Sequence, residues 1–227
     1  MATKRKTAPS VHDLPLPSFI DSAKSVTIVG LDPGFASFGW AMIEIAPAQN
    51  AAGGALQPRV TPRFCGVIRT AKAAKKESLF AAEDMVQRAA ILHADLALVI
   101  RHADLVSAES LSYPRSASVS AQMGCAWGVL VGILAHHTVP LVQLSPQAAK
   151  KRITGLKSAS KLEVQSAVEG MLPGAVPMIE ALNPGLREHV ADAFALALCA
   201  VDSEQVRGML KILHRGMLKN VRGPEGG

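Results

Sequence analysis

Apolar residues along the chain change period several times, and each change marks an element. Val26 to Leu31 is a short β-branched run that stops at Asp32-Pro33-Gly34, which predicts a buried strand ending in a turn. Phe38 to Ile45 and Arg63 to Thr70 predict two further strands. Between them, Ala46 to Pro62 is rich in Ala, Gly and Pro and predicts a long hairpin connection. From Glu77 to Arg101, the positions Leu79, Met85, Ala89, Leu92, Leu96 and Ile100 fall at helical spacing, which predicts one long helix. Leu105 to Glu109 predicts the fourth strand, Ser116 to His136 a helix, and Pro140 to Leu144 the fifth strand. Ser145-Pro146 supplies an N-cap and a first-turn proline for a short helix through Ile153. Ser158 and Ser160 are candidate caps for a helix running to Met171, and a last apolar helix covers Glu188 to Val201.

Three strands in succession, followed by strands alternating with helices, predict an α/β fold. Its sheet is five-stranded and mixed, three antiparallel strands plus two parallel ones, flanked by helices. Residues 26–201 form one domain, with no internal repeat. Gly124, Gly128 and Gly132 recur every fourth residue along one helix face, which suits close packing on the sheet or on a partner subunit's helix. Trp40 and Trp127 are expected in the core, and His136-His137 at a helix end complements the helix dipole.

With 227 residues, 49% of them hydrophobic and 19% charged, the chain has enough apolar surface for a sizeable core. The apolar run Met123 to Ala135 falls short of the roughly 18 residues that a membrane span requires, so no membrane association is expected. Cys65, Cys125 and Cys199 lie far apart without a Cys-x-x-Cys pair, which fits buried thiols in an intracellular protein. Net charge is +6. Residues 1–25 read as a flexible basic arm and 202–227 as a basic tail, each carrying a net +2. Met209, Leu210, Ile212, Leu213 and Leu218 lie among basic residues in that tail. They fit an amphipathic helix for a partner, for a nucleic-acid contact, or for packing on the domain. Lys150, Lys151, Arg152, Lys157 and Lys161 cluster with Glu163 as their close acidic neighbour, which suits either a polyanionic partner or a solvated basic face.

Two strands end in acids. Asp32 follows a buried run directly, where a carboxylate must be compensated; it either hydrogen-bonds the Pro-Gly turn or takes part in a site. Glu109 has the same placement after Leu105 to Ala108, so the two carboxylates emerge at one sheet edge if the strands are neighbours. Asp192 sits in Val190 to Cys199, a helix apolar almost all round, and His189 lies one turn before it on the same face. Three carboxylates and an imidazole form an oxygen-rich set suited to Mg²⁺ or Mn²⁺ and poor for a closed zinc site. Two such ions about 4 Å apart could activate a water and stabilise the leaving oxygen of a phosphodiester.

These residues resemble a known family, the RuvC-type Holliday junction resolvases of the RNase H-like fold, over roughly Val26 to Val201. Ile28-Val-Gly-Leu-Asp32-Pro-Gly34 is similar to the family's first motif and Ala108-Glu109-Ser110 to its second. Gln122 to Gly128 resembles the helix that follows. Gly155-Leu-Lys-Ser-Ala-Ser-Lys161 resembles its Gly-x-Gly-x-Ala-x-Lys loop, with Lys161 and Lys150 at the DNA-contacting lysines. His189-Val-Ala-Asp192 to Ala197 resembles the closing acidic helix. The resemblance implies a homodimer that nicks two symmetric strands of a four-way DNA junction with two Mg²⁺, for which Mn²⁺ substitutes, leaving 5′-phosphate and 3′-hydroxyl ends. Asp32, Glu109 and Asp192 would hold the metals, and His189 would be a ligand, a proton acceptor for water, or both. Lys150 and Lys161 would hold phosphates, with Lys151, Arg152, Arg115 and Tyr113 as further DNA contacts. A branch-migration motor is the kind of partner such an enzyme has, and its location would be with DNA, in cytoplasm or nucleoid.

The chain departs from that family in places. His189 stands where many members carry aspartate, and Ser112 where the family often has an aromatic wedge. Tyr113 next to it could take over stacking or lie in the core. The basic arm, the 46–62 connection and the tail exceed the compact bacterial pattern and suit a phage-borne or mobile-element enzyme. Three other functions compete: a broader branched-DNA or flap nuclease, a non-catalytic DNA-binding relative, and an actin-like or sugar-kinase-like ATPase. Asp32-x-Gly34 before a hairpin also resembles a phosphate loop of that last class, but such a fold needs a second domain and a second glycine-rich motif.

Overall fold

The computed structural model describes residues 25–47, 58–72, 81–111 and 116–222. Five strands are present: β1 Val26–Asp32, β2 Ser37–Ala46, β3 Arg59–Arg69, β4 Leu105–Glu109 and β5 Leu141–Leu144. The helices are α1 Ala81–Ile100, α2 Ala117–His137, α3 Pro146–Thr154, α4 Lys161–Met171, α5 Val176–Glu180, α6 Pro184–Ala200 and α7 Glu204–Arg222. The sheet order is β3-β2-β1-β4-β5, antiparallel at β1/β2 and β2/β3, parallel at β1/β4 and β4/β5. This is the expected mixed sheet of three antiparallel and two parallel strands, in an RNase H-like arrangement.

Side chains alternate across β1 and split the core into two layers. Val26 and Ile28 join Phe194, Leu196 and Val190 of α6, together with α3 and α4. Val29 and Leu31 join Leu92 and Leu96 of α1 and Trp127, Leu130 and Ile133 of α2 on the other face. Trp40 and Trp127 are both buried, as their apolar neighbours in sequence suggest. Burial pushes the Cys65 thiol up to about 12 and the Cys199 thiol to about 11, so both are inert.

Gly30 lets α6 lie directly on the sheet. A Cβ at that position would stand 1.9 Å from the Ala193 carbonyl oxygen and 2.7 Å from the Ala197 nitrogen. Gly39, opposite Asp32 in the β1/β2 ladder, is pressed against the His189 carbonyl, whose oxygen would stand 2.4 Å from an added Cβ. These two close approaches bring the acidic helix to the end of β1. Gly30→Ala is therefore expected to cost about 3 kcal/mol of stability, because backbone rather than a flexible side chain must move. Urea unfolding of the variant beside wild type checks this, and an unchanged midpoint would contradict the packing argument.

Three boundaries differ from the pattern reading. β3 begins at Arg59, before Pro62, because it is an edge strand where a missing N–H is tolerated, and a bulge opposite Met42/Ile43 absorbs Arg63. α6 begins at Pro184 after Asn183, with proline in its first turn. A 3-10 turn, Pro173–Ala175, and α5 occupy a stretch that carried no helical period. Gly124, Gly128 and Gly132 do not pack on the sheet: among the described residues, an added Cβ would meet nothing within 4 Å at any of them. They lie on the outward face of α2, beside exposed Val131. α2 as a whole is long and apolar enough, by length and composition, to cross a membrane, which the shorter run Met123 to Ala135 does not convey. Its inner face, however, belongs to the core between the sheet and α1. The basic arm except Ser25, the middle of the 46–62 connection, Ser112, Tyr113, Arg115 and the last five residues of the tail lie outside the described residues.

Candidate active site

Parallel pairing of β1 and β4 carries both chains to the same sheet edge, where Asp32 is the last residue of one strand and Glu109 of the other. α6 crosses this edge over Gly30 and Gly39 and delivers His189 and Asp192 from successive turns. His189 Nδ1 lies 2.7 Å from Asp32 Oδ2, so a residue 157 positions away closes on the first acid. The helix approaches so closely that the three carboxylates share one electrostatic environment.

Their protonation reports that environment. Burial pushes the Glu109 carboxyl up to about 7, helped by the charges of Asp32 and Asp192 and opposed by Lys150. Asp192 is raised to about 6, first by burial and then by Asp32, with Lys161 pulling the other way. His189 is raised by its hydrogen bond to Asp32. A buried cluster of this kind is short of positive charge. Among the described residues, no three His, Cys, Asp or Glu side chains stand close enough to hold an ion as they are. Asp32 turns one oxygen to the imidazole. The donors themselves, hard oxygens at partly buried positions, fit Mg²⁺ or Mn²⁺.

The family model for crossover junction endodeoxyribonuclease RuvC matches residues 28–200. The chain belongs to the RuvC family. It is 32% identical to the RuvC of Parvibaculum lavamentivorans over 181 residues, 79% of this chain and 88% of that protein. The RuvC of Paracoccus denitrificans is 28% identical over 184 residues, covering 80% and 95%. In fold it is similar to Thermus thermophilus RuvC in complex with Holliday junction substrate, with a TM-score of 0.59, 22% identity, and 81% and 97% of the two chains covered. The match also removes the ATPase alternative. α7 lies beyond the residues that the RuvC model matches.

Around the RuvC acids stands a bank of lysines. Lys161, the first residue of α4, reaches Glu188 at 2.8 Å and acts on Asp192 and Asp32 through its charge. The helix start is fixed by a capping box in which Ser160 and Glu163 satisfy each other's backbone N–H. Lys150 Nζ donates to the Ala159 carbonyl at 2.7 Å, which ties α3 to the loop before α4 while its charge acts on Glu109. Lys151 and Lys157 are exposed. Arg152 is turned elsewhere: it pairs with Asp202, just ahead of α7, and its charge acts on Cys199, near the end of α6 far from His189. Of the expected DNA-contacting set, the structure thus brings Lys150 and Lys161 to the acids and directs Arg152 to a pairing of its own. Glu188 was not singled out in the sequence, although it precedes His189 and lies four residues before Asp192; its pairing with Lys161 across 27 positions has no local signal.

Proposed function

We propose that this RuvC-family chain resolves four-way DNA junctions by paired symmetric nicks, leaving 5′-phosphate and 3′-hydroxyl ends. The observation that carries this reading is the convergence of Asp32, Glu109 and Asp192 at one sheet edge beneath Lys150 and Lys161. Acids alone would repel a phosphodiester, and lysines alone would bind it without cutting.

Asp32, Glu109 and Asp192 would hold two Mg²⁺, with Mn²⁺ as a substitute. When bound, such ions polarise the phosphate, lower the pKa of a water and stabilise the leaving oxygen. Lys161 and Lys150 bind phosphates on either side of the scissile bond and hold the strand in line. His189 keeps Nδ1 on Asp32, which fixes the ring and leaves Nε2 as the nitrogen to accept a proton from the attacking water or to serve as a ligand. A two-fold homodimer would place two such sites in register with the symmetry of a junction. The outward face of α2, where an added Cβ at Gly124, Gly128 or Gly132 would meet nothing within 4 Å among the described residues and Val131 is exposed, supports that assembly. Action on chromosomal or phage DNA places the protein with DNA inside the cell, where a branch-migration motor is a fitting partner.

The test is Mg²⁺-dependent cleavage of an end-labelled immobile four-way junction beside a linear duplex of matching sequence. Paired nicks in the junction alone, sealable by ligase, are the expected result. Equal cutting of flaps or linear duplex would make the protein a broader branched-DNA nuclease, and no cutting would make it a binding relative.

A further inference from the structure

Beneath the turn that follows Asp32 lies a polar set that the proposed chemistry does not use. Phe35, Thr70 and Arg88 are each no more than 5% exposed. Phe35 belongs to the turn from β1 to β2, Thr70 follows the last residue of β3, and Arg88 lies on α1. Thr70 holds the turn twice: its N–H donates to the Ala36 carbonyl at 3.1 Å, and its hydroxyl donates to the Phe35 carbonyl. The Arg88 guanidinium then donates from Nε to Thr70 Oγ1 at 3.0 Å and stacks over the Phe35 ring, 4.3 Å from its centroid. Asp84, one turn earlier on α1, balances its charge at 3.5 Å.

A buried guanidinium is a poor way to gain stability. Removing an ion from water costs several kcal/mol in effect, and replacing a buried ion pair as a whole by apolar residues of similar volume often leaves stability unchanged or raises it. Here the cation spans three elements and ends on the segment that carries Asp32. Without Thr70 and Arg88, the turn loses the contacts that tie it to the end of β3 and to α1, three residues after Asp32. We infer that Arg88 and Thr70 form a clamp that positions Asp32 for divalent-metal binding. They are positioning residues that act through the backbone of Phe35 and Ala36. The inference rests on the reading of Asp32 as a metal ligand.

The experiment uses the full chain and Mn²⁺ itself as the probe, with free ion followed by electron paramagnetic resonance in the absence of DNA. Thr70→Val keeps the shape and removes the hydroxyl, Thr70→Ser keeps the hydroxyl, and Arg88→Met keeps the volume without the charge. Partners one step removed from a metal ligand typically change affinity 10- to 100-fold. Thr70→Val and Arg88→Met are expected to bind Mn²⁺ about tenfold more weakly per folded molecule, beyond any loss of melting temperature, with Thr70→Ser restoring affinity to within about twofold. A purely structural role predicts a lower melting temperature with unaltered affinity per folded molecule, and that result overturns the clamp. If Arg88→Met fails to fold, the Thr70→Val and Thr70→Ser pair decides alone. A wild-type protein that binds Mn²⁺ and shows the Thr70 effect but cuts no junction overturns the proposed activity and leaves the clamp standing.

Discussion

Asp32→Asn is expected to reduce junction cleavage at least about 1000-fold, on the order of 4 kcal/mol of barrier, while junction affinity stays the same or rises. Asp32 is where the site's interactions meet: it holds His189 Nδ1, and its charge raises both Glu109 and Asp192. The amide has nearly the same shape, so β1 and the turn after it are retained. What is lost is a ligand charge and the anchor of the imidazole. The surviving acids ionise more readily, yet the site carries one negative charge less, and a phosphodiester approaching Lys161 meets less repulsion. Single-turnover cleavage and gel-shift affinity on the same labelled junction separate these effects. Retained cutting would remove Asp32 from the chemistry, and lost binding would mean that it supports the fold.

The second large effect is on metal demand as a function of pH. Glu109 and Asp192 titrate near 7 and near 6 in the metal-free protein, and a cation must displace those protons to bind. Both pKa values are raised, so the protonated, non-ligating forms gain as pH falls. With both groups ionised at pH 8, and Glu109 mostly and Asp192 half protonated at pH 6, the Mg²⁺ concentration for half-maximal cleavage should rise roughly 20-fold between these two values. The stability counterpart has the opposite sense. Acids with raised pKa values make the folded metal-free protein bind more protons than the unfolded chain, so stability falls as pH rises from 3.8, where Asp192 begins to contribute, to about 7. Magnesium should therefore raise the melting temperature more at pH 8 than at pH 6. A flat metal requirement over this range would mean that the two acids do not bind the ion.

Much of this architecture can be read along the chain because the site sits on strongly patterned elements. β1 and β4 are short apolar runs that end in acids, and the His189 to Asp192 spacing fits one face of an apolar helix. The caps Ser116, Ser145 and Ser160 act where the hydrophobic period changes. Elements without such a period were not legible. Pro62 in β3 looks like a loop residue until the strand is known to lie at the sheet edge. The direction of the glycine face on α2 depends on which side of that helix meets the sheet, and a helix apolar on nearly every side does not declare it. Long-range polar pairings are equally silent: Arg152 with Asp202, Lys161 with Glu188, and Arg88 with Thr70 and Phe35 join residues whose local sequence suggests ordinary surface or core positions.

The order in which the acids occur bears on when the enzyme can act. The ribosome makes Asp32 first, Glu109 much later, and Asp192 only when most of the domain exists. Because α6 reaches its place by seating on Gly30 and Gly39 of strands finished long before, a nascent chain displays two carboxylates with no third and no imidazole. A truncated or stalled product lacking the segment after Gly185 therefore lacks two of the four residues of the proposed cutting centre, whatever DNA it meets. On the proposed reading, the wide separation of the acids in sequence thus links the capacity to break DNA to completed synthesis and docking of α6.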